Sequence, residues 1–159
     1  MKKTIALFTL WTVFLAALQA AEPITGFEDL MRRLKKGEEV RMVIHYGKCQ
    51  LISNNEVQEK SPEAIGGMEI TTFEYFAPGS IGNKKAFVVT SASHFIENPI
   101  GSGFVFNYVK VKIFSDNRVK ITAKYLNSQT HEEIIDGKLL FCHWRCRKRG
   151  SRVVVCRLV

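Results

Sequence analysis

From Asn107 to Leu126 the chain reads NYVKVKIFSDNRVKITAKYL. Val109, Val111 and Ile113 fall on one side of a period of two, and Lys110 and Lys112 on the other. Val119, Ile121, Ala123 and Tyr125 repeat the apolar side, with Lys120 and Lys124 opposite. Successive side chains of a strand point to opposite faces, so this pattern describes two strands with one dry and one wet face. Between them, SDNR supplies the Asp and Asn that tolerate tight-turn geometry. The stretch predicts a β-hairpin, and a hairpin of this kind must bury its dry face against something else.

The rest of the body supplies partners of the same type. In VRMVIHY, Val40, Met42, Ile44 and Tyr46 share a face. In MEITTFEYF, Met68, Ile70 and Phe76 alternate against Phe73 and Tyr75, so both faces carry large side chains. KAFVVTS is a short β-branched run, and AIGG, APGSIGNKK and NPIGSG read as turns. One segment breaks the period. In TGFEDLMRRLKKG, Phe27, Leu30, Met31 and Leu34 form a helical stripe. Thr25 and Glu28 have capping-box spacing, and Gly37 suits the left-handed position after the last turn. The expected fold is α+β and mostly β: one N-terminal amphipathic helix, then about eight to ten strands in an antiparallel sheet curled into a barrel or sandwich.

The N-terminus bears on compartment. Lys2 and Lys3 precede an uncharged stretch, Thr4–Leu18, rich in large apolar residues, and LQAAEP follows. This is the layout of a secretory signal peptide, with the cut placed after Ala20, and after Ala21 as the alternative. The apolar run is shorter than the roughly 20 residues a spanning helix needs, so no transmembrane anchor is expected after cleavage. The mature chain is expected in the periplasm or outside the cell, where disulfides persist.

The formal charge of +8 suggests a polyanion binder until it is divided along the chain. The leader holds two lysines, residues 138–159 hold seven basic residues and no acid, and residues 22–137 sum to −1. The excess is therefore local, a basic patch of Arg145, Arg147, Lys148, Arg149 and Arg152. It suits weak binding to an acidic surface, whereas the body lacks the recognition elements of a nucleic-acid binder.

The blocks VRMVIHYGKCQL, AIGGMEITTFEYFAPGSIGNKKAFVV and NYVKVKIFSDNRVKITAKYL, in this order behind a leader and a short helix, resemble the VirK family. That is a group of small exported bacterial proteins linked by name to virulence loci. The resemblance implies no enzymatic activity, cofactor or catalytic residue. It ends near Lys138, where the composition turns abruptly into a Cys/Arg-rich run, either a functional extension or an ending read in a shifted frame. The expected divisions are a signal peptide over 1–20, one β-rich domain over 21–138 and a basic Cys-rich extension over 139–159.

The cysteines are Cys49, Cys142, Cys146 and Cys156. The last three are spaced C-x3-C-x9-C, which lacks the paired close spacings of a zinc knuckle even with His143 beside them. Disulfides are the expectation. A turn centred on Arg149 would set Cys142 opposite Cys156 and leave Cys146 to meet Cys49. His45 lies four strand residues from Cys49, about 13 Å, too far for a base to touch a thiol. Glu69 and Glu74 fall on opposite faces of a strand and cannot clasp one sugar. No G-x-S-x-G elbow occurs, and neither IGGM nor GSG has the context of a phosphate cradle. Phe104, Phe106 and Tyr108 form an aromatic stripe that fits a ligand or partner surface, or a packed core.

No metal, cofactor or catalytic set is therefore expected. The expected function is that of a non-enzymatic exported protein that binds an unknown protein or envelope partner. A carrier of small apolar ligands in a barrel cavity is the alternative, and an unrecognised hydrolase the third.

Overall fold

A computed structural model of the chain describes residues 23–53, 56–145 and 156–158. The leader, and with it the cleavage site, lies outside the described residues.

Helix α1 spans Phe27–Lys35 and buries Phe27, Leu30, Met31 and Leu34, the stripe read from the sequence. Gly37 takes the left-handed conformation at φ 71°. The N–H groups of Gly37 and Glu38 donate to the carbonyls of Leu34 and Arg33 at 3.0 and 3.1 Å, a Schellman ending. The start of the helix corrects the expectation. Gly26, not Thr25, is the N-cap, and no side chain at that position caps the helix. Asp29 accepts the Thr25 N–H at 3.0 Å, and Oδ1 of Asn117 accepts the Phe27 N–H at 2.8 Å. The acceptor for the first turn comes from 90 residues downstream, which local spacing cannot reveal.

The strands are β1 (Arg41–His45), β2 (Gln50–Ser53), β3 (Glu56–Val57), β4 (Ile65–Glu69), β5 (Glu74–Phe76), β6 (Phe87–Glu97), β7 (Phe104–Phe114), β8 (Arg118–Asn127), β9 (Glu133–Arg145) and β10 (Cys156–Leu158). The hairpin forms where alternation predicts it. β7 and β8 pair antiparallel with Ile113 opposite Val119. Asn117 closes the loop at φ 63°, a left-handed position that Asn tolerates better than most residues.

Neighbouring strands run in the order β4-β1-β10-β9-β8-β7-β6-β5, with β2 on β9 and β3 on β2. The pairings are antiparallel apart from β1 with β10. β9 serves three neighbours: β8 along one edge, and on the other β2, with Gln50 opposite Phe141, and β10, with Leu158 opposite Trp144. MEITTFEYF does not form one strand. It divides into β4 and β5, which end up at opposite ends of the ladder. No described pairing joins those ends, so the sheet does not close into a barrel. The chain between Glu69 and Glu74 nevertheless keeps them within about 17 Å of each other. Ile70 from this crossing is buried, and Phe73 packs against the core.

The core lies between α1 and one face of the sheet. Met42 and Ile44 of β1 meet Val111, Ile113, Val119, Ile121 and Leu140 there. Val111, Ile113, Val119 and Ile121 are fully buried, and each contributes about 1.5–3 kcal/mol by leaving water. The change of composition at Leu139 falls inside β9, and Leu140 and Cys142 beyond it lie in the core.

The cysteine pairing overturns both expected pairs, Cys142–Cys156 and Cys49–Cys146. Cys49 and Cys142 form a disulfide, with Cα atoms 4.6 Å apart and 93 residues between them in sequence. They face each other one step beyond the Gln50–Phe141 pair of the β2–β9 ladder. β9 and β10 pair with Arg145 opposite Arg157, a register in which Cys142 does not face Cys156. The expectation failed because it assumed a hairpin centre and had no knowledge of β2. Cys146 lies outside the described residues.

Candidate functional site

The outer face of the sheet carries the side chains that the core does not use. On β7 this stripe reads Phe104, Phe106, Tyr108, Lys110, Lys112 and Phe114, since even positions point away from Val109, Val111 and Ile113. The three aromatic residues singled out from the sequence thus share one face. Phe104 is 57% exposed, and Phe106 and Tyr108 are half-buried.

The aromatic end of the stripe is larger than the sequence suggests. Phe95 of β6 lies directly opposite Phe106 and is 58% exposed. Its ring stacks on Phe104 at 5.2 Å and tilts against Phe106 at 5.4 Å. His131 stacks on the other side of Phe106 at 5.6 Å. The β8–β9 turn sets that imidazole in place. Oδ1 of Asn127 accepts the N–H groups of Gln129 and Thr130, the Asn127 carbonyl accepts that of His131, and His131 adopts φ 59°. Sequence reasoning missed Phe95 and His131. Only the β6–β7 register and a turn with a left-handed histidine bring them to the stripe.

The middle of the face is basic. Lys112 and Lys120 are directly opposed across β7 and β8, and Lys110 is two residues from Lys112 on the same side. Arg118 and Lys124, at the margins, have carboxylate partners: Arg118 with Asp116 at 2.7 Å, and Lys124 with Glu133 at 2.6 Å. Among the described residues, Lys110, Lys112 and Lys120 have none. Lys112 instead holds its ammonium 3.4 Å from the centroid of Phe87, which stacks on Phe76 at 4.8 Å. Burial, then the charges of Lys120 and Lys110, lower the Lys112 pKa. Phe141 closes the row beside Lys120.

The core side of the sheet offers a different feature. Beyond the packed core, a cleft of about 520 Å³ opens between Tyr46, Gly66, Asn107, Val109, Ala123 and Tyr125. A Cβ at Gly66 would come within 2.5 Å of the Tyr46 hydroxyl, so glycine makes room for that ring. Burial, with a smaller contribution from Tyr125, raises the Tyr46 pKa. The disulfide removes Cys49 as a nucleophile and Cys142 as a thiolate metal ligand. Of the basic patch, Arg145 ends β9, while Arg147, Lys148, Arg149 and Arg152 lie outside the described residues. Among the described residues no helix is long and apolar enough to cross a membrane.

Fold and faces together define a small, mostly β protein: a nine-residue helix packed on one face of an open, mostly antiparallel sheet. The sequence profile of the VirK protein family matches residues 23–131, and the chain belongs to the VirK family. A crystal structure of a VirK family protein from Legionella pneumophila has the same fold. It superposes with a TM-score of 0.57 at 20% identity, covering 76% of this chain and 91% of that one. No curated protein matches the chain.

Proposed function

We propose that this VirK family member is an exported, non-enzymatic protein that acts by binding a partner outside the cytoplasm, as a virulence-associated or envelope accessory factor. One observation carries the reading: Phe95 and Phe104 stack in the open on the sheet face turned away from the core. Large rings left in water beside polar residues are characteristic of contact surfaces. The Cys49–Cys142 bond supports an oxidising compartment.

A photo-crosslinking side chain at position 104, compared with one at the exposed Ile65 on edge strand β4, tests the reading in the extracytoplasmic fraction of producing cells. A crosslinked product specific to position 104, and lost with Phe95→Ser, is expected. Equal products from both positions, or recovery of the chain only in the cytosol, would sink it.

The cleft between Tyr46 and Tyr125 favours a second reading, a carrier of small apolar ligands. Native mass spectrometry distinguishes it: a bound small molecule that Ala123→Phe displaces is the result this reading requires.

A further inference from the structure

Opposed like charges on a sheet are costly, and the outer face holds a row of them that no carboxylate among the described residues offsets. Lys112 and Lys120 occupy directly opposed positions, and Lys110 is the next residue on that face. Cross-strand pairs of equal sign destabilise a sheet, and substituting an uncharged residue at any of the three would relieve the repulsion. The marginal cations Arg118 and Lys124 are neutralised by Asp116 and Glu133, whereas Lys110 is exposed, and Lys112 and Lys120 are half-buried with aromatic rings rather than carboxylates beside them. This local positive field sits on a body whose residues 22–137 sum to −1, so overall charge does not account for it. Further along the same face, Phe95 and Phe104 are more than half exposed.

We propose that this face docks on an anionic phospholipid surface. Lys110, Lys112 and Lys120 would lie among the phosphate headgroups, and Phe95 and Phe104 would enter the boundary between headgroups and acyl chains. The two ingredients complement each other: lysines alone would give any polyanion a salt-sensitive grip, and exposed rings alone would be indifferent to charge. Interfacial aromatic residues beside basic ones match the apolar and anionic layers of an acidic bilayer. The 11-residue β7 carries both along one stripe, so one orientation of the sheet engages both.

The proposal rests on the outer face being the contact surface and names its partner. The full mature chain is mixed with vesicles of phosphatidylcholine alone, and with vesicles containing phosphatidylglycerol in about a 2:1 ratio, then spun down. Binding to the mixed vesicles only, weakening as salt rises, is expected. Each Lys→Gln change at 110, 112 or 120 should lower affinity about fivefold, and the triple variant about a hundredfold. Lys120→Gln should also raise the thermal midpoint, which shows that the variant folds and that the lysines serve binding rather than stability. Phe95→Ser with Phe104→Ser should abolish the binding that survives high salt.

Equal binding to both vesicle types overturns the proposal. So does binding that persists in the triple lysine variant but disappears when Arg147, Lys148, Arg149 and Arg152 are replaced. If no vesicle binds while position 104 still gives a specific crosslink to a protein, the lipid partner is wrong and the contact surface stands. Lysine-dependent capture of soluble heparin without vesicle binding also refutes the lipid.

Discussion

Lys120 and Ile121 are neighbours in β8, and they answer to opposite demands. Ile121 is wholly buried among Val111, Val119 and Leu140, and its contacts repeat a pattern found along the core side of the sheet. Lys120 faces another lysine on one neighbouring strand and the ring of Phe141 on the other. The backbone and strand register are shared, so the contrast belongs to the side chains alone. The core face follows from packing, and almost any stable sheet of this order would need it. On the outer face the opposed lysines work against stability, and that marks it as the candidate site.

Three experiments bear on this contrast, in order of expected effect. The disulfide ties β2 to β9 at the edge of the packed side, and closing so long a loop is worth about 4–5 kcal/mol in the chain-entropy account. Denaturant unfolding of a Cys49→Ala, Cys142→Ala double variant should show a loss of that order. A loss below about 1 kcal/mol would mean the sheet holds β2 without the bond. Non-reducing peptide mapping should recover Cys49 joined to Cys142. Of the three ways to join four cysteines in two pairs, only the one that also joins Cys146 to Cys156 is compatible with that bond.

Ile121→Ala should cost about 3 kcal/mol through lost burial and a cavity. The adjacent Lys120→Ala should cost nothing or slightly stabilise. Equal costs at the two positions would erase the distinction between the faces.

The smallest effect is at the β7–β8 loop, where Asp116 meets Lys85 at 2.7 Å and Arg118 at 2.7 Å. Its burial raises its pKa, but hydrogen bonds from Lys85 and Arg118 outweigh that and bring it down from 3.8 to about 2. A carboxyl whose folded pKa is depressed stabilises the fold above its unfolded pKa and loses that contribution as pH falls through the folded one. The contribution should therefore be complete above about pH 4 and fade towards pH 2. Because both cations are half-exposed, it should amount to about 1 kcal/mol. Asp116→Asn should flatten that part of the thermal-midpoint profile. An unchanged acid slope would show the ion pairs to be inert.

The periodic elements were legible in the sequence because their determinants are local. The α1 stripe, Gly37 at its end, and the β7–β8 hairpin with its Asp-Asn loop all formed where spacing placed them. What the sequence hid depends on partners far along the chain. Thr25 and Glu28 have capping-box spacing, but Asp29 and Asn117 supply the acceptors. MEITTFEYF alternates like one strand, yet β1 and β6 claim its two halves separately. The Cys/Arg-rich run reads as an appendage because its composition changes at Leu139. The alternation of Leu140 and Cys142 nevertheless continues into the core. The same limit applied to the site: Phe104, Phe106 and Tyr108 were visible as a stripe, whereas Phe95 and His131 join it only through register and turn geometry.

The Asn117 contact has a consequence in time. A nine-residue helix is too short to persist alone in water, and α1 is made long before the hairpin that caps it. As the chain grows from its N-terminus, residues 27–35 emerge about 90 residues ahead of their cap. The oily stripe of α1 must therefore wait uncapped until β7 and β8 exist. Its boundary is set by a side chain in a distant turn, and the first described element to be synthesised cannot be finished before the β7–β8 turn has been made.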